Sequence, residues 1–390
     1  MADPDALLAE TCDTRRMLLA TLLVAAALSE PPVDVFAGGA GGYAVYRIPS
    51  VTRLESGAAK GRLLAFAEAR SSLHDVTDND LVMRTSSDGG ATWSEQRVVA
   101  ELPGRSLNNP TVVELSTGAR AGRILLMFQS YPERCGESAV VPGFDVSADA
   151  PDRVCRTMLV HSDDGGATWS TPREITRSVK RPAPVTSTAT GPGIGIELRH
   201  GAHKGRILMP FNQGPYDQWR VYAAISDDGG DSWRMGDCAP DDERGVANEV
   251  QMFERADGTV VLNARQHLGA RRRKTASSAD GGETWTRLAD VPELPDPQCM
   301  AGVLSLDGTT VVFTGCDSES RRALGSMWIS RDGGRTWPEK MLVESGGFAY
   351  SVPVALEAGK VGVLYETAGY RSIAFRTVSV PSAAAAPAAR

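Results

Sequence analysis

Short apolar, β-branched runs alternate along most of the chain with clusters of Gly, Asp, Asn and Pro. Runs at 62–66, 80–85, 123–128, 156–161, 206–211, 220–226, 259–264, 311–314 and 361–365 are five to eight residues long or slightly shorter. Bounded by turn residues, they read as strands. A 3.6-residue period is absent after residue 30. The pattern therefore predicts an all-β chain.

One phrase recurs five times: Ser-x-Asp-x-Gly-x-Thr/Ser-Trp. Its copies run from Ser86 to Trp93, Ser162 to Trp169, Ser226 to Trp233, Ser278 to Trp285 and Ser330 to Trp337. Each copy follows a strand-like run. Its Asp can accept backbone N–H bonds and its Gly can take φ > 0, so the core is turn chemistry. The Trp can then fold back and bury a large ring. Repetition at this spacing marks an array of one supersecondary unit. Four-stranded units repeated radially form a propeller. We therefore expect a six-bladed β-propeller of four-stranded antiparallel sheets over residues 31–378, one blade lacking the phrase. The acidic turns lack the ligand spacing and terminal Glu of a helix-loop-helix calcium site, so no metal is expected.

Composition narrows the class further. The chain has 390 residues, 42% of them hydrophobic and 23% charged, with a formal net charge of -7. That charge argues against a general nucleic-acid binder. The basic run Arg271, Arg272, Arg273 and Lys274 is expected to be a solvated edge. No apolar run reaches the length of a membrane span. Residues 17–28 form a short apolar stretch after Arg15-Arg16 and before Pro31-Pro32, which reads as an export signal within residues 1–30. A secreted or periplasmic location follows. Residues 379–390, rich in Ala and Pro, are expected to be a disordered tail. Six cysteines lie at positions 12, 135, 155, 238, 299 and 316 without a close pair. Disulfides 135–155 and 299–316, or buried free thiols, are both compatible with this spacing.

Chemistry-bearing residues fall near strand ends, which a propeller gathers at its axis. They are Tyr46-Arg47-Ile48-Pro49, Glu68 with Arg70, Asp75, Asn109-Pro110, residues 190–193, Asn248-Glu249, Arg265, Arg321-Arg322, Tyr350 and Glu366. Together with the repeated phrase, which matches an Asp box, this ordered set resembles the sialidase (neuraminidase) family of exo-α-sialidases. The resemblance spans about residues 35 to 378. It implies that Arg47, Arg265 and Arg322 grip a substrate carboxylate, with Arg321 an alternative to Arg322. It implies Tyr350 as nucleophile, Glu249 as its partner and Asp75 as acid/base, with Asp78 a rival for that role. Arg70 would line the pocket, Glu366 would hold Arg47, and residues 190–193 would shape a pocket loop. Sialylated glycans are the implied partners, and no cofactor is implied.

The residue types suit that chemistry. Planar guanidinium forks stay charged and can bind both oxygens of a carboxylate. A carboxylate nucleophile would meet a carboxylate-bearing sugar as a like charge, whereas a neutral phenol would not. A free phenol has a pKa of about 10, so it needs a base, and the surrounding arginines are expected to favour its phenolate. Two other readings share these residues: a trans-sialidase, and a non-catalytic glycan-binding propeller.

Overall fold

In the computed structural model, residues 31–144, 153–241 and 246–382 are described. The export segment expected at 1–30 lies outside them, as does most of the tail expected at 379–390. The described residues form strands, one short α-helix (Thr176–Val179) and a few 3-10 turns. All nine runs predicted as strands fall within observed strands or overlap them closely.

The strands form five hydrogen-bonded sheets. The first contains Val45–Arg53, Leu63–Arg70, Asp80–Ser86 and Arg97–Ala100 as an antiparallel meander. Sheets built on Arg105–Glu114, Ile207–Gln213 and Ala247–Glu254 follow. The fifth has seven strands, because the 17-residue strand Glu339–Ala355 serves two neighbours. Its first half pairs with Ala323–Ser330 and its second half with Lys360–Thr367. Val33–Ala37 pairs with Ser372–Ser379, so the two ends of the described chain close on each other.

The innermost strands contact one another in a closed circuit. Val45–Arg53 touches Arg105–Glu114, and the circuit continues through the short strands at 188–197, then Ala247–Glu254, Gly302–Ser305 and Glu339–Ala355, back to Val45–Arg53. The core is the set of interfaces between adjacent sheets. Leu64, Phe66 and Met83 of the first sheet meet Val112, Ile124 and Leu126 of the second, and comparable clusters fill the later interfaces.

The repeated phrase explains how the sheets are fastened. In the first copy Ser86 Oγ donates to Asp88 Oδ1 at 2.8 Å and accepts from Gly90 N at 2.9 Å. Thr92 N donates to Asp88 Oδ1 at 3.0 Å. The same bonds recur in the other four copies. The Gly of each copy then docks on the preceding sheet. A Cβ on Gly166 would collide with Leu64, on Gly230 with Leu125, on Gly334 with Phe253, and on Gly90 with Phe375 across the closure. Gly90 has φ +97°, a second reason for glycine there.

These turns carry a pH signature. Hydrogen bonds from the Thr92 and Thr168 side chains, then from backbone N–H groups, hold Asp88 and Asp164 down at about 2. Burial pushes Asp280 and Asp332 the other way, but their hydrogen bonds win and bring both to about 2. An unfolded Asp titrates near 3.9. The stability these groups contribute is therefore fully present above about pH 4 and is lost as pH falls toward about 2. The expected melting temperature falls steeply below pH 4. An unchanged value at pH 3 would contradict this.

One expectation is corrected in part. Arg271 is exposed, as a solvated edge would be, but Arg273 and Lys274 of the same basic run are fully buried in the strand Arg272–Ser278. Arg273 pairs with Asp296 at 3.2 Å and Lys274 with Asp290 at 2.8 Å. Residues 190–193 join two short strands of the inner circuit: Gly193 pairs with Thr111, a Cβ on Gly191 would strike the Val250 backbone, and Thr190 bonds to Asn109. Cys135, Cys155, Cys238, Cys299 and Cys316 are free thiols.

Candidate active site

The inner strands run in one direction, so their N-terminal ends share one mouth. Four of them carry an irregularity there. Pairing shifts between Arg47 and Ser50, between Asn108 and Thr111, between Asn248 and Val250, and between Phe348 and Ser351. A bulge re-aims side chains that a regular pleat would alternate. Ile48 and Asn109 adopt φ of 58° and 56°, each directly before a proline. Proline in an inner strand cannot donate to a ladder, and here it marks the bulge. Glu249 and Tyr350 sit in the other two.

Tyr350 is the centre of the arrangement. It is 5% exposed. Its Oη donates to Glu249 Oε1 and accepts from Arg265 Nη1 at 3.0 Å. Arg265 Nη1 also donates to Glu249 Oε2. The Arg47 and Arg322 guanidinium carbons each lie 5.3 Å from the centre of the Tyr350 ring. Burial, then the Glu249 charge, pushes the phenol well above its ordinary value, and the three arginines pull it back only in part. The arginines do favour the phenolate, as expected, but burial and Glu249 outweigh them and the resting phenol stays protonated.

Glu366 is wholly buried. It accepts from Arg47 Nε at 2.6 Å, Ile48 N at 2.9 Å and Tyr350 N at 3.3 Å. Arg322 donates instead to two neutral oxygens, Tyr370 Oη at 3.0 Å and Gln298 O at 2.7 Å. Among the described residues no carboxylate pairs with Arg322. Three guanidiniums against Glu249 and Glu366 leave one net positive charge, which suits one anionic group.

A second group borders the first. Arg70 Nη1 donates to Asp75 Oδ1 at 2.8 Å, and Arg70 Nε donates to the fully buried Glu68 at 2.8 Å. Glu68 also accepts from Asn108 Nδ2 at 3.3 Å and Asn109 N at 2.6 Å. Burial pushes the Glu68 carboxyl up against the pull of Arg70. The Asp75 side chain is 79% exposed on its loop, free to meet a bound molecule.

The structure thus brings together Arg47, Glu249, Arg265, Arg322, Tyr350 and Glu366, with Arg70 and Asp75 as a neighbouring pair. It leaves Arg321 exposed, with its backbone N–H on Ser318. Asp78 is exposed outside the cluster. Sequence reasoning missed Tyr370, Gln298 and Glu137. Glu137 is pushed up to about 7 by burial, then by the charges of Glu249 and Asp75, which places it within reach of both groups. Its loop gives no local signal. Tyr370 follows a hairpin glycine, and that pairing was a usable one.

A cavity of about 420 Å³ lies at the opposite ends of the same strands, lined by Val51, Val112, Ile194, Met252, Val303 and Pro353 among others. Its carboxylates Glu114, Glu197 and Glu254 are each taken up by backbone N–H groups of a neighbouring loop, so the charged mouth, with its tyrosine–glutamate pair and clustered arginines, is the candidate active site.

Comparison with known proteins agrees with this geometry. The family described as "BNR repeat-like domain" matches residues 61–363. A curated sialidase from Micromonospora viridifaciens is 32% identical over 353 residues, covering 85% of this chain and 51% of that protein. A sialidase from Bacteroides fragilis (strain YCH46) is 28% identical over 348 residues, covering 83% of this chain and 60% of that protein. The chain therefore spans only about half to three-fifths of these relatives. The solved structure of Hadza microbial sialidase Hz136 superposes with a TM-score of 0.78 at 26% identity, over 90% of this chain and 68% of that one. No helix among the described residues is long and apolar enough to cross a membrane. On the repeat, the clustered arginines and these matches together, the chain belongs to the sialidase (BNR repeat) family.

Proposed function

We propose that this protein is a retaining exo-α-sialidase, hydrolysing terminal sialic acid from glycoconjugates, and that its fold is a six-bladed β-propeller in which Glu339–Ala355 serves two blades. One observation carries the catalytic reading: a buried tyrosine hydrogen-bonded to a glutamate, faced by three arginines with one uncompensated positive charge. Sialic acid carries a carboxylate on its anomeric carbon. Arg47, Arg265 and Arg322 bind that carboxylate and set the anomeric carbon above Tyr350. As Tyr350 Oη attacks, its proton passes to Glu249 Oε1, so no phenolate need exist at rest. Asp75 protonates the leaving oxygen. Asp75 then takes a proton from water, whose oxygen displaces Tyr350 Oη while Glu249 returns its proton to the departing phenol oxygen. A tyrosine nucleophile is the known sialidase exception to the two-carboxylate scheme.

Two displacements at one carbon give net retention. Hydrolysis of 4-methylumbelliferyl α-sialoside, followed by proton NMR, is expected to show the α-anomer of free sialic acid before mutarotation. First appearance of the β-anomer would overturn the double displacement. No release at all would overturn the sialidase reading. Formation of sialyl-lactose in preference to free sialic acid at low lactose concentration would replace the hydrolase by a trans-sialidase.

A further inference from the structure

Tyr370 lies at the tip of the hairpin joining Lys360–Thr367 to Ser372–Ser379. Its φ is 54°, following Gly369 at 64°. For a bulky residue a positive φ is an outlier, and such strain persists only where the surroundings over-determine it. They do so here. Ser372 N donates to Thr367 Oγ1 at 3.1 Å, Ser372 Oγ donates to Asp34 Oδ1 at 2.7 Å, and Gly38 N donates to Arg371 O at 2.9 Å. The tip is thus tied to its own hairpin and to the N-terminal strand Val33–Ala37.

What the strained backbone achieves is the placement of one ring between two arginines. The Arg47 guanidinium carbon lies 4.2 Å from the centre of the Tyr370 ring, close enough for a cation–π contact. Tyr370 Oη accepts from Arg322 Nη1. Arg47 has Glu366 to fix its Nε, and the Tyr370 ring lies against its guanidinium. Arg322 has hydrogen bonds to Tyr370 Oη and the Gln298 carbonyl and otherwise rests against the Tyr350 ring. Gln298 itself has φ 60°. Two strained residues therefore hold the one of the three site arginines for which no carboxylate partner is found among the described residues.

We infer that Tyr370 is a positioning residue that sets the relative orientation of Arg47 and Arg322, so that both forks converge on one carboxylate. The inference rests on the proposed sialidase reading. Its partner chemistry explains the choice of a phenol. A carboxylate in place of Tyr370 would neutralise Arg322 and remove the net charge that attracts the substrate. An aliphatic side chain would leave Arg322 one acceptor short and Arg47 without its π face.

The grip on the carboxylate is present in the bound substrate and in the transition state alike, so weakening it raises KM more than it lowers kcat. Tyr370→Phe keeps the ring under Arg47 and removes only the acceptor for Arg322. A KM increase of about five- to tenfold with kcat within about twofold is expected, consistent with one charge-assisted bond. Tyr370→Ala removes both contacts, and an increase of about thirtyfold or more is expected.

A merely structural role is separated by binding free N-acetylneuraminic acid and its methyl ester, measured by calorimetry. In the wild type the acid should bind far more tightly than the ester. In Tyr370→Phe that preference should shrink about fivefold or more, while ester binding and melting temperature stay unchanged. An unchanged preference, with KM within twofold of wild type, would overturn the inference. A wild type that binds the acid but releases nothing from an α-sialoside would sink the sialidase reading alone, and the acid-to-ester preference would still judge Tyr370. A wild type that neither hydrolyses nor prefers the acid would overturn both.

Discussion

Replacing Tyr350 with Phe is expected to abolish turnover while leaving sialic acid binding nearly intact. The change removes one oxygen. That oxygen donates to Glu249 and accepts from Arg265, and in the proposed mechanism it forms the covalent bond. Loss of a nucleophile that acts with its base as a unit removes most of the catalysis, on the order of a thousandfold or more. The ring stays. Arg47 and Arg322 stand over its face at 5.3 Å each, and a phenyl ring presents them with the same quadrupole. The carboxylate grip should therefore survive, with a dissociation constant for free sialic acid within about threefold of wild type. Release of 4-methylumbelliferone and calorimetric binding, measured on the same preparation, check both halves. Turnover at the wild-type rate would remove Tyr350 from the mechanism. Lost binding together with lost turnover would mean that the hydroxyl organises the arginines instead.

The parts of this site that could be read from the sequence are those with a local cause. Pro49 and Pro110 signal broken ladders in strands that are otherwise apolar, and the structure has bulges there. Asn248-Glu249 and Arg265 fall near the ends of strand-like runs, and in the structure Asn248 pairs with Arg265. The five turn phrases were legible because Asp, Gly and Trp each have a role within eight residues. Their docking on the preceding sheet was not, since Gly90 meets Phe375, 285 residues away. The burial of Arg273 and Lys274 depends on Asp296 and Asp290, which lie on the next strand or beyond it. The protonation of Tyr350 is a balance of burial and Glu249 against three arginines. Residue types name the contestants in that balance, but only the packing decides it.

Glu366→Gln should damage stability and catalysis together. This single buried carboxylate receives Arg47 Nε, Ile48 N and Tyr350 N. It therefore fixes one of the three arginines, the strained residue beside it, and the backbone of the nucleophile. A Gln has the same shape but no charge, and its amide N–H₂ must face donors on one side. The Arg47 guanidinium, which is 9% exposed, would be left without its balancing charge. Removing one partner of a buried ion pair costs about 3–5 kcal/mol, expected as a fall in melting temperature of roughly 5–15 °C. The loss of Arg47's orientation and a small displacement of Tyr350 should lower kcat/KM by about a hundredfold. Both quantities are measured on one preparation, by thermal melting and by sialoside hydrolysis. A fall in stability with unaltered kcat/KM would mean that Arg47 is held in place by the Tyr370 ring alone. Wild-type values for both would mean that the Arg47 charge is balanced elsewhere. The anion site would then have no net positive charge to offer, and the charge argument for a carboxylate-bearing sugar would fail with it.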